Sequence, residues 1–195
     1  MTLPRNEVVL VAISGIDGSG KGYVTARIVK ALSSAGFNAA GINIDGWLNL
    51  PHIRFNKSRP AEHFYLHAIR FEEMFSQLVV PLRDHRSVKL EADYAEETAT
   101  RFRKHLYEFH DLDVVVLEGI YLLKRDFRHI ADLAFWVECS FQTALDRAIR
   151  RAQEGLSTED TIEAFRTIYF PAQRIHFQRD DPKTFAKTLI HNETE

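Results

Sequence analysis

The segment Gly15–Gly22, GIDGSGKG, lies between a β-branched apolar run and an amphipathic stretch, and this placement limits the fold more than any other feature. It fits the pattern Gly-x-x-x-x-Gly-Lys. Glycines allow a turn tight enough for successive backbone N–H groups to point inward at phosphate oxygens. A helix N-terminus just beyond adds about half a positive charge. Lys21 supplies a full charge within reach of the β- and γ-phosphates. The flanks matter because the bare pattern also recurs by chance. Val8 to Ser14 reads as a buried strand, and Val24, Ile28, Val29 and Leu32 give the next helix one apolar face. The competing interpretation is a glycine-rich β–α turn with a solvated lysine. Gly15, Asp17, Gly18, Ser19, Gly20, Lys21, Gly22 and Tyr23 are the candidate nucleotide-binding residues. One position departs from the usual pattern. The residue after the lysine is ordinarily Ser or Thr, whose hydroxyl binds magnesium, and here it is Gly22. Thr25 lies nearly a helical turn further on, and Ser19 inside the loop is a substitute ligand.

Beyond the loop, strands and helices alternate. Gly36 stops the first helix, and Ala39 to Ile44 forms a second strand ending at Asp45 and Gly46. Trp47 to Pro60 is irregular, with Pro51 and Pro60 as breakers. The spacing of Phe64, Leu66, Ile69, Met74, Phe75 and Leu78 predicts one long amphipathic helix from about Ala61 to Val80. Ser87 to Tyr94 reads as a hairpin or excursion. Val114 to Leu117 and Ala131 to Cys139 are strands, the second leading into a helix from Phe141 to Glu154. A helical stretch from Thr158 to Gln178 contains Pro171 and should kink or break there. Thr188 to His191 is a last strand. The alternation predicts an α/β, three-layer P-loop NTPase-type fold, with a mainly parallel β-sheet flanked by helices on both faces. No repeat or linker interrupts the 195 residues, which suit a single domain spanning 1–195, with a lid helix region at about 141–157.

A net charge of -2 gives no reason to expect nucleic acid or a membrane as partner. Pro4, Asn6 and Glu7 precede only a short apolar run, which is not a signal-peptide pattern, and no stretch approaches the roughly 20 apolar residues of a bilayer span. The single cysteine, Cys139, forbids an intramolecular disulfide and fits a reducing, cytoplasmic location. A small-molecule acceptor is the expected partner, and a homo-oligomer is compatible with the sequence.

In an open parallel sheet, ligands bind outside the C-terminal ends of the strands. Asp45 and Glu118 both fall at such ends, as the glycine-rich loop does. Glu118 is the candidate carboxylate facing magnesium or its bound water; otherwise it is a solvated strand end. Asp45 falls where an acceptor hydroxyl must arrive, to take or orient its proton and to stand near the metal; otherwise it makes an Asx turn with Gly46. Arg147, Arg150 and Arg151 share one helix face by their i, i+3, i+4 spacing. Arg147 and Arg150 are the candidates for closing over the phosphates, unless Asp146 and Glu154 merely pair with this face. Arg174 and Arg179 are weaker candidates for a second basic site. His63 and His67 lie four apart without a third ligand, and with Phe64, Tyr65 and Phe71 they could line a substrate pocket.

These motifs together resemble the uridine kinase and phosphoribulokinase-like family of P-loop kinases over nearly the whole chain. VAISGIDGSGKG, INIDGW, HFYLHAIRFEEMF, VVVLEGIYLL and ALDRAIRR carry the resemblance. It implies an ATP- and Mg2+-dependent transfer of the γ-phosphoryl group to a hydroxyl. Asp45 would activate the acceptor, Glu118 would stand at the metal, Lys21 would hold ATP, and Arg147 and Arg150 would be lid arginines. Four positions differ from the family pattern. Gly22 replaces the metal-binding hydroxyl, and the lid lacks the usual acidic residue where Arg151 stands. Tyr65 follows Phe64 where uridine kinases have an aspartate that grips ribose, and a Tyr-Asp pair is reversed as Asp93 and Tyr94. The expected acceptor is therefore a nucleoside, sugar, phosphosugar or pantothenate-like alcohol, with uridine itself a poor one. A nucleotide-binding regulatory module with little turnover and an NTP hydrolase are the alternatives.

Overall fold

A computed structural model of the chain describes residues 7–152 and 155–193. Five parallel strands form the central sheet: β1 (Val9–Gly15), β2 (Ala39–Asn43), β5 (Val114–Gly119), β6 (Leu133–Glu138) and β7 (Thr188–His191). Their spatial order is β2-β5-β1-β6-β7. β3 (Val88–Tyr94) and β4 (Arg103–Phe109) make a separate antiparallel hairpin. The helices are α1 (Lys21–Ser34), α2 (Pro51–Arg54), α3 (Pro60–His67), α4 (Phe71–Met74), α5 (Val80–His85), α6 (Phe141–Arg151), α7 (Thr158–Ala164), α8 (Phe170–Asp180) and α9 (Pro182–Ala186). Among the described residues, no helix is long and apolar enough to cross a membrane.

Alternation along the strands builds the layers. Val11 and Ile13 of β1, with Val114 and Val116 of β5, face the apolar side of α1. Leu10, Val115 and Leu117 face the opposite way, into a larger core with Phe64, Phe71, Met74 and Leu78. Ala12 joins a third cluster with Trp136, Ala144, Ala148 and Phe165. Both faces of the sheet are thus covered by helices, the condition under which parallel strands are stable. Gly36, at φ 89°, ends α1 as expected.

Four elements differ from the sequence expectation. The helix expected from Ala61 to Val80 is broken after His67. There Ile69 bridges Leu48, the Asn49 N–H donates to the Ala68 carbonyl, and the Arg70 N–H donates to the Trp47 carbonyl. Tertiary pairing with the segment after Asp45 overrides the helical period at these residues. The stretch from Thr158 to Gln178 stays helical as far as Asp180, passing Pro171 by way of a π-helical turn, Phe165–Tyr169. A second such turn, Phe75–Val79, precedes Pro81. A wider turn moves the carbonyl that the proline ring would otherwise strike. The strand β4 was not anticipated. In RKHLYEF the buried Tyr107 and the partly buried His105 and Phe109 alternate with exposed residues, and long charged side chains mask the pattern. The helix expected to reach Glu154 ends at Arg151; Gln153 and Glu154, within the anticipated lid region, lie outside the described residues.

Register aligns the strand ends. Glu118 pairs with Asn43 on one side and Ile13 on the other, and Gly15 pairs with Val137. A Cβ on Gly119 would lie 2.1 Å from Ile44 Cγ1 and 2.5 Å from its Cδ1, so Gly119 lets Ile44 seat the turn that carries Asp45. Gly119→Ala should cost about 1–3 kcal/mol in urea unfolding. The double variant Gly119→Ala/Ile44→Ala should cost less than the sum of its two single variants, because it removes both clashing atoms, Cγ1 and Cδ1. Additive losses would show that the clash is relieved elsewhere.

Candidate active site

The glycine-rich loop turns between β1 and α1 with Gly18 and Gly20 at φ 76° and 86°. Both also meet close neighbours. A Cβ on Gly18 would lie 2.5 Å from the Ala144 carbonyl oxygen, and one on Gly20 would lie 2.3 Å from Asn192 Nδ2. The loop is gripped from outside as well: Asn192 Nδ2 donates to the Ser19 carbonyl at 2.8 Å, and Arg147 donates to the carbonyls of Gly18, Ser19 and Asn192 at 3.4, 3.3 and 2.9 Å. Inside the loop, Lys21 Nζ donates to the Ile16 carbonyl at 2.9 Å. The Ser19 and Thr25 hydroxyls are buried without a hydrogen-bond partner. The first-turn N–H groups of α1, on Lys21, Gly22 and Tyr23, are the free donors of a helix start. The Tyr23 ring is 64% exposed and lies beside Arg27, away from the loop.

Gly22 is not required by backbone conformation. A Cβ there would meet only the Glu118 carboxylate, at 3.5 and 4.0 Å, which is ordinary contact. The same distances put the buried Glu118 beside the corner that a Ser or Thr hydroxyl occupies in the usual loop. Among the described residues, no cluster of three or more His, Cys, Asp or Glu side chains is arranged to hold a metal ion.

Asp45 sits in a single 3₁₀ turn, Ile44–Gly46, directly after β2. The Asx turn anticipated for Asp45 is made by Asn43, whose Oδ1 accepts the Asp45 N–H at 2.7 Å. The Asp45 side chain lines a cavity of about 210 Å³ together with Asp17, Lys21, Arg54, Glu97 and Arg151. Apolar walls come from Leu48, Phe55, Phe64, Ile120 and Tyr169. Burial pushes the Asp45 carboxyl above its ordinary 3.8, against the pull of Lys21. Burial likewise raises Glu118 above 4.5; Lys21 opposes this and the Asp45 charge adds to it.

Several expected placements change. Arg151 lines the cavity and meets Asp17 at 3.4 Å, whereas Arg150 is exposed and its Nε donates back to the Asp146 carbonyl. Arg147 and Arg151, one helical turn apart, are thus the pair at the loop. Phe64 faces the cavity, but Tyr65 does not: its hydroxyl donates to Asp180 at 2.6 Å, and it lies with Phe71 along a different surface cleft. His63 and His67 border another shallow cleft. Arg174 stacks over Phe141 and Arg179 pairs with Glu62, so they form no joint basic site. Tyr94 packs against Gly46 under the Asp45 turn, while Asp93 points to Lys104 at 2.9 Å. Arg54, Glu97, Tyr169 and Asn192 had no signal in the sequence, being scattered over an irregular segment, a hairpin loop, a helix and the chain end.

A phosphate loop at the end of a central parallel strand, with acidic residues at the ends of two neighbouring strands, defines a P-loop phosphotransferase. The chain belongs to the phosphoribulokinase / uridine kinase family, whose model matches residues 10–173, and it is a kinase. It is 28% identical over 192 residues to a uridine kinase of Macrococcus caseolyticus, covering 95% of this chain and 88% of that one. A uridine kinase of Ureaplasma parvum is 28% identical over 171 residues, covering 84% and 79%. In fold, the chain is similar to the solved structure of a possible uridine kinase from Bacillus stearothermophilus, with a TM-score of 0.76 at 16% identity, covering 97% and 91%. It is also similar to a D-glycerate 3-kinase from Cryptococcus neoformans, with a TM-score of 0.57 at 12% identity, covering 85% and 79%.

The two desolvated carboxylates have a measurable consequence. Their folded-state values lie above the ordinary ones, so between the two values the native protein holds more protons than the unfolded chain. Stability therefore falls as pH rises through that window and stays lowered above it. In nucleotide- and metal-free protein, Asp45→Asn and Glu118→Gln should each raise Tm near neutral pH. The gain should vanish below the ordinary 3.8 and 4.5. A lower Tm at neutral pH for both variants would show that these carboxylates stabilise the fold.

Proposed function

We propose that the protein transfers the γ-phosphoryl group of ATP to a hydroxyl of a small molecule, with Asp45 as the group that receives or orients the hydroxyl proton. The observation that carries this is the position of Asp45: it lines the same cavity as Lys21, while Asn43 makes the turn hydrogen bond in its stead. Lys21 and the loop N–H groups hold the β- and γ-phosphates, with Lys21 exchanging the Ile16 carbonyl for phosphate oxygens. Arg147 and Arg151 approach the loop from α6, where they can neutralise charge on the transferring group. The raised Asp45 carboxyl is a stronger base than an exposed aspartate, provided it is ionised when the acceptor arrives. Apolar walls around it exclude water, which favours transfer to the acceptor over hydrolysis.

Magnesium, when bound, supplies positive charge between phosphate oxygens. Glu118 and Asp45 are the residues that would hold it, directly or through water, in place of the hydroxyl missing at Gly22. The missing hydroxyl also favours a second reading, a nucleotide-binding module with little turnover. A cytoplasmic small-molecule kinase remains the preferred one.

Acceptor-dependent ADP release, measured over a panel of nucleosides, sugars, sugar phosphates and hydroxy acids, tests the proposal. Asp45→Asn should lower turnover by about 10²-fold or more and leave ATP affinity close to wild type. A small loss would remove Asp45 from the chemistry. Gly22→Ser has room beside Glu118, and it should lower the magnesium concentration needed for half-maximal turnover. Tight ATP binding without transfer to any acceptor at any magnesium concentration would favour the module reading.

A further inference from the structure

One buried cation in the cavity has no part in the phosphoryl transfer described above. Arg54 is the last residue of α2, is 5% exposed, and lines the cavity with Asp45 and Lys21. Its position is fixed locally: Pro51 starts the short helix, and the Leu50 carbonyl accepts from the N–H groups of both Ile53 and Arg54. One arm of the guanidinium, Nη2, donates to the main-chain carbonyl of Glu97 in the β3–β4 loop. The guanidinium carbon lies 5.1 Å from the centre of the Phe55 ring. The Nε–H is buried and has no hydrogen-bond partner.

A structural tie from α2 to the hairpin loop accounts for Nη2 alone. It leaves an orphaned Nε–H and a desolvated positive charge at the cavity wall, and both are unfavourable without a partner. A guanidinium presents parallel N–H groups in a planar fork, the geometry that matches a carboxylate or phosphate. Burial opposes the Arg54 charge most strongly; Tyr169, Glu97 and Asp45 lie near enough to favour it, yet none of them bonds the Nε–H. The cavity, at about 210 Å³, is smaller than the ~300–1,000 Å³ of ordinary ligand pockets. An acceptor with its hydroxyl at Asp45 therefore brings its remaining atoms against Arg54.

We infer that Arg54 recognises an anionic group on the acceptor, so that the substrate is a negatively charged alcohol of the sugar-acid or sugar-phosphate type and not a neutral nucleoside. This rests on the kinase reading above and deepens it. Arg54 is a specificity determinant; the proton and phosphoryl transfers remain with the residues already named.

The test uses matched pairs that differ in charge: glycerate with glycerol, gluconate with glucose, ribose 5-phosphate with ribose, with uridine as the neutral nucleoside. Binding is measured by calorimetry on protein saturated with magnesium and a non-hydrolysable ATP analogue, so that the donor site cannot contribute its own anion affinity. Turnover is measured as ADP release. The anionic member of at least one pair should bind and react at least tenfold better than its neutral partner; the hydroxy acids and the sugar phosphate separate carboxylate from phosphate recognition. Arg54→Gln should lower kcat/KM for that anion by about 10²-fold without a matching loss for its neutral partner and with the KM for ATP unchanged. Arg54→Lys, which keeps the charge and loses the fork, should fall between the two. Wild-type preference for uridine or another neutral acceptor, with equal losses for charged and neutral acceptors in Arg54→Gln, would overturn the inference and leave the kinase reading intact. Failure of the analogue-loaded protein to bind any anionic acceptor would also overturn it. ATP binding without transfer to any acceptor would count against the kinase reading itself.

Discussion

The structure depends on how closely the backbone of the phosphate loop can approach its neighbours. Gly18 and Gly20 adopt the left-handed region, and the space a side chain would need is already filled by the Ala144 main chain and the Asn192 amide. Two constraints therefore act on the same residues: the turn that aims N–H groups inward, and the contact that holds the loop from outside. Ala144 lies on the buried face of α6, and Asn192 directly follows β7. The loop is held by elements more than a hundred residues away in sequence. Arg147 completes this arrangement by bonding to loop carbonyls and to the Asn192 carbonyl at once. A shift of α6 would therefore move the loop, Arg147 and Asn192 together.

The carboxylates show the opposite economy. Asp45 and Glu118 are desolvated next to each other, and the charge of each is offset mainly by Lys21. Desolvation makes such a pair costly before any ligand arrives, and an entering positive charge would relieve it. Desolvated like charges near a phosphate loop are costly for a fold and useful for a reaction, a common relation between stability and activity. The glycine at position 22 belongs to this balance. It withholds a neutral ligand from the corner beside Glu118, so the carboxylate faces that corner unshielded.

What could be read in the sequence follows from how local each feature is. The loop, the strand ends at Asp45 and Glu118 and the sheet itself are written in contiguous residues with an unmistakable period, such as Val114 to Leu117. The broken helix after His67 could not be read this way. Its apolar spacing is helical, and only pairing with Leu48, Asn49 and Trp47 removes it. On α6 the arrangement could be read only in part: Arg147, Arg150 and Arg151 have equivalent spacing, and only the crossing of α6 over the loop brings Arg147 and Arg151 to it. Tyr65 was placed by analogy, but a hydrogen bond to the buried Asp180 turns it from the cavity. The walls that select an acceptor come from segments without periodicity, so no pattern announces them.

This separation has a physical basis that bears on how kinases with this fold diverge. On the reading proposed above, the donor half of the site is built on strand ends and a helix start, where register and close packing leave little room for change. The acceptor half is built on α2, the turn after β2, the hairpin loop at Glu97 and the π-helical turn that ends at Tyr169. These pieces are short, and each is anchored by a few specific contacts rather than by a ladder. Substitutions there alter the shape and charge of the cavity without disturbing the sheet. A buried arginine can be introduced on a four-residue helix because the helix itself contributes little to the core. Its charge is then tolerated because Asp45 and Glu97 lie close enough to favour the protonated form, although burial opposes it more strongly. On the reading proposed above, the acceptor would be decided by the charge of single residues around Asp45.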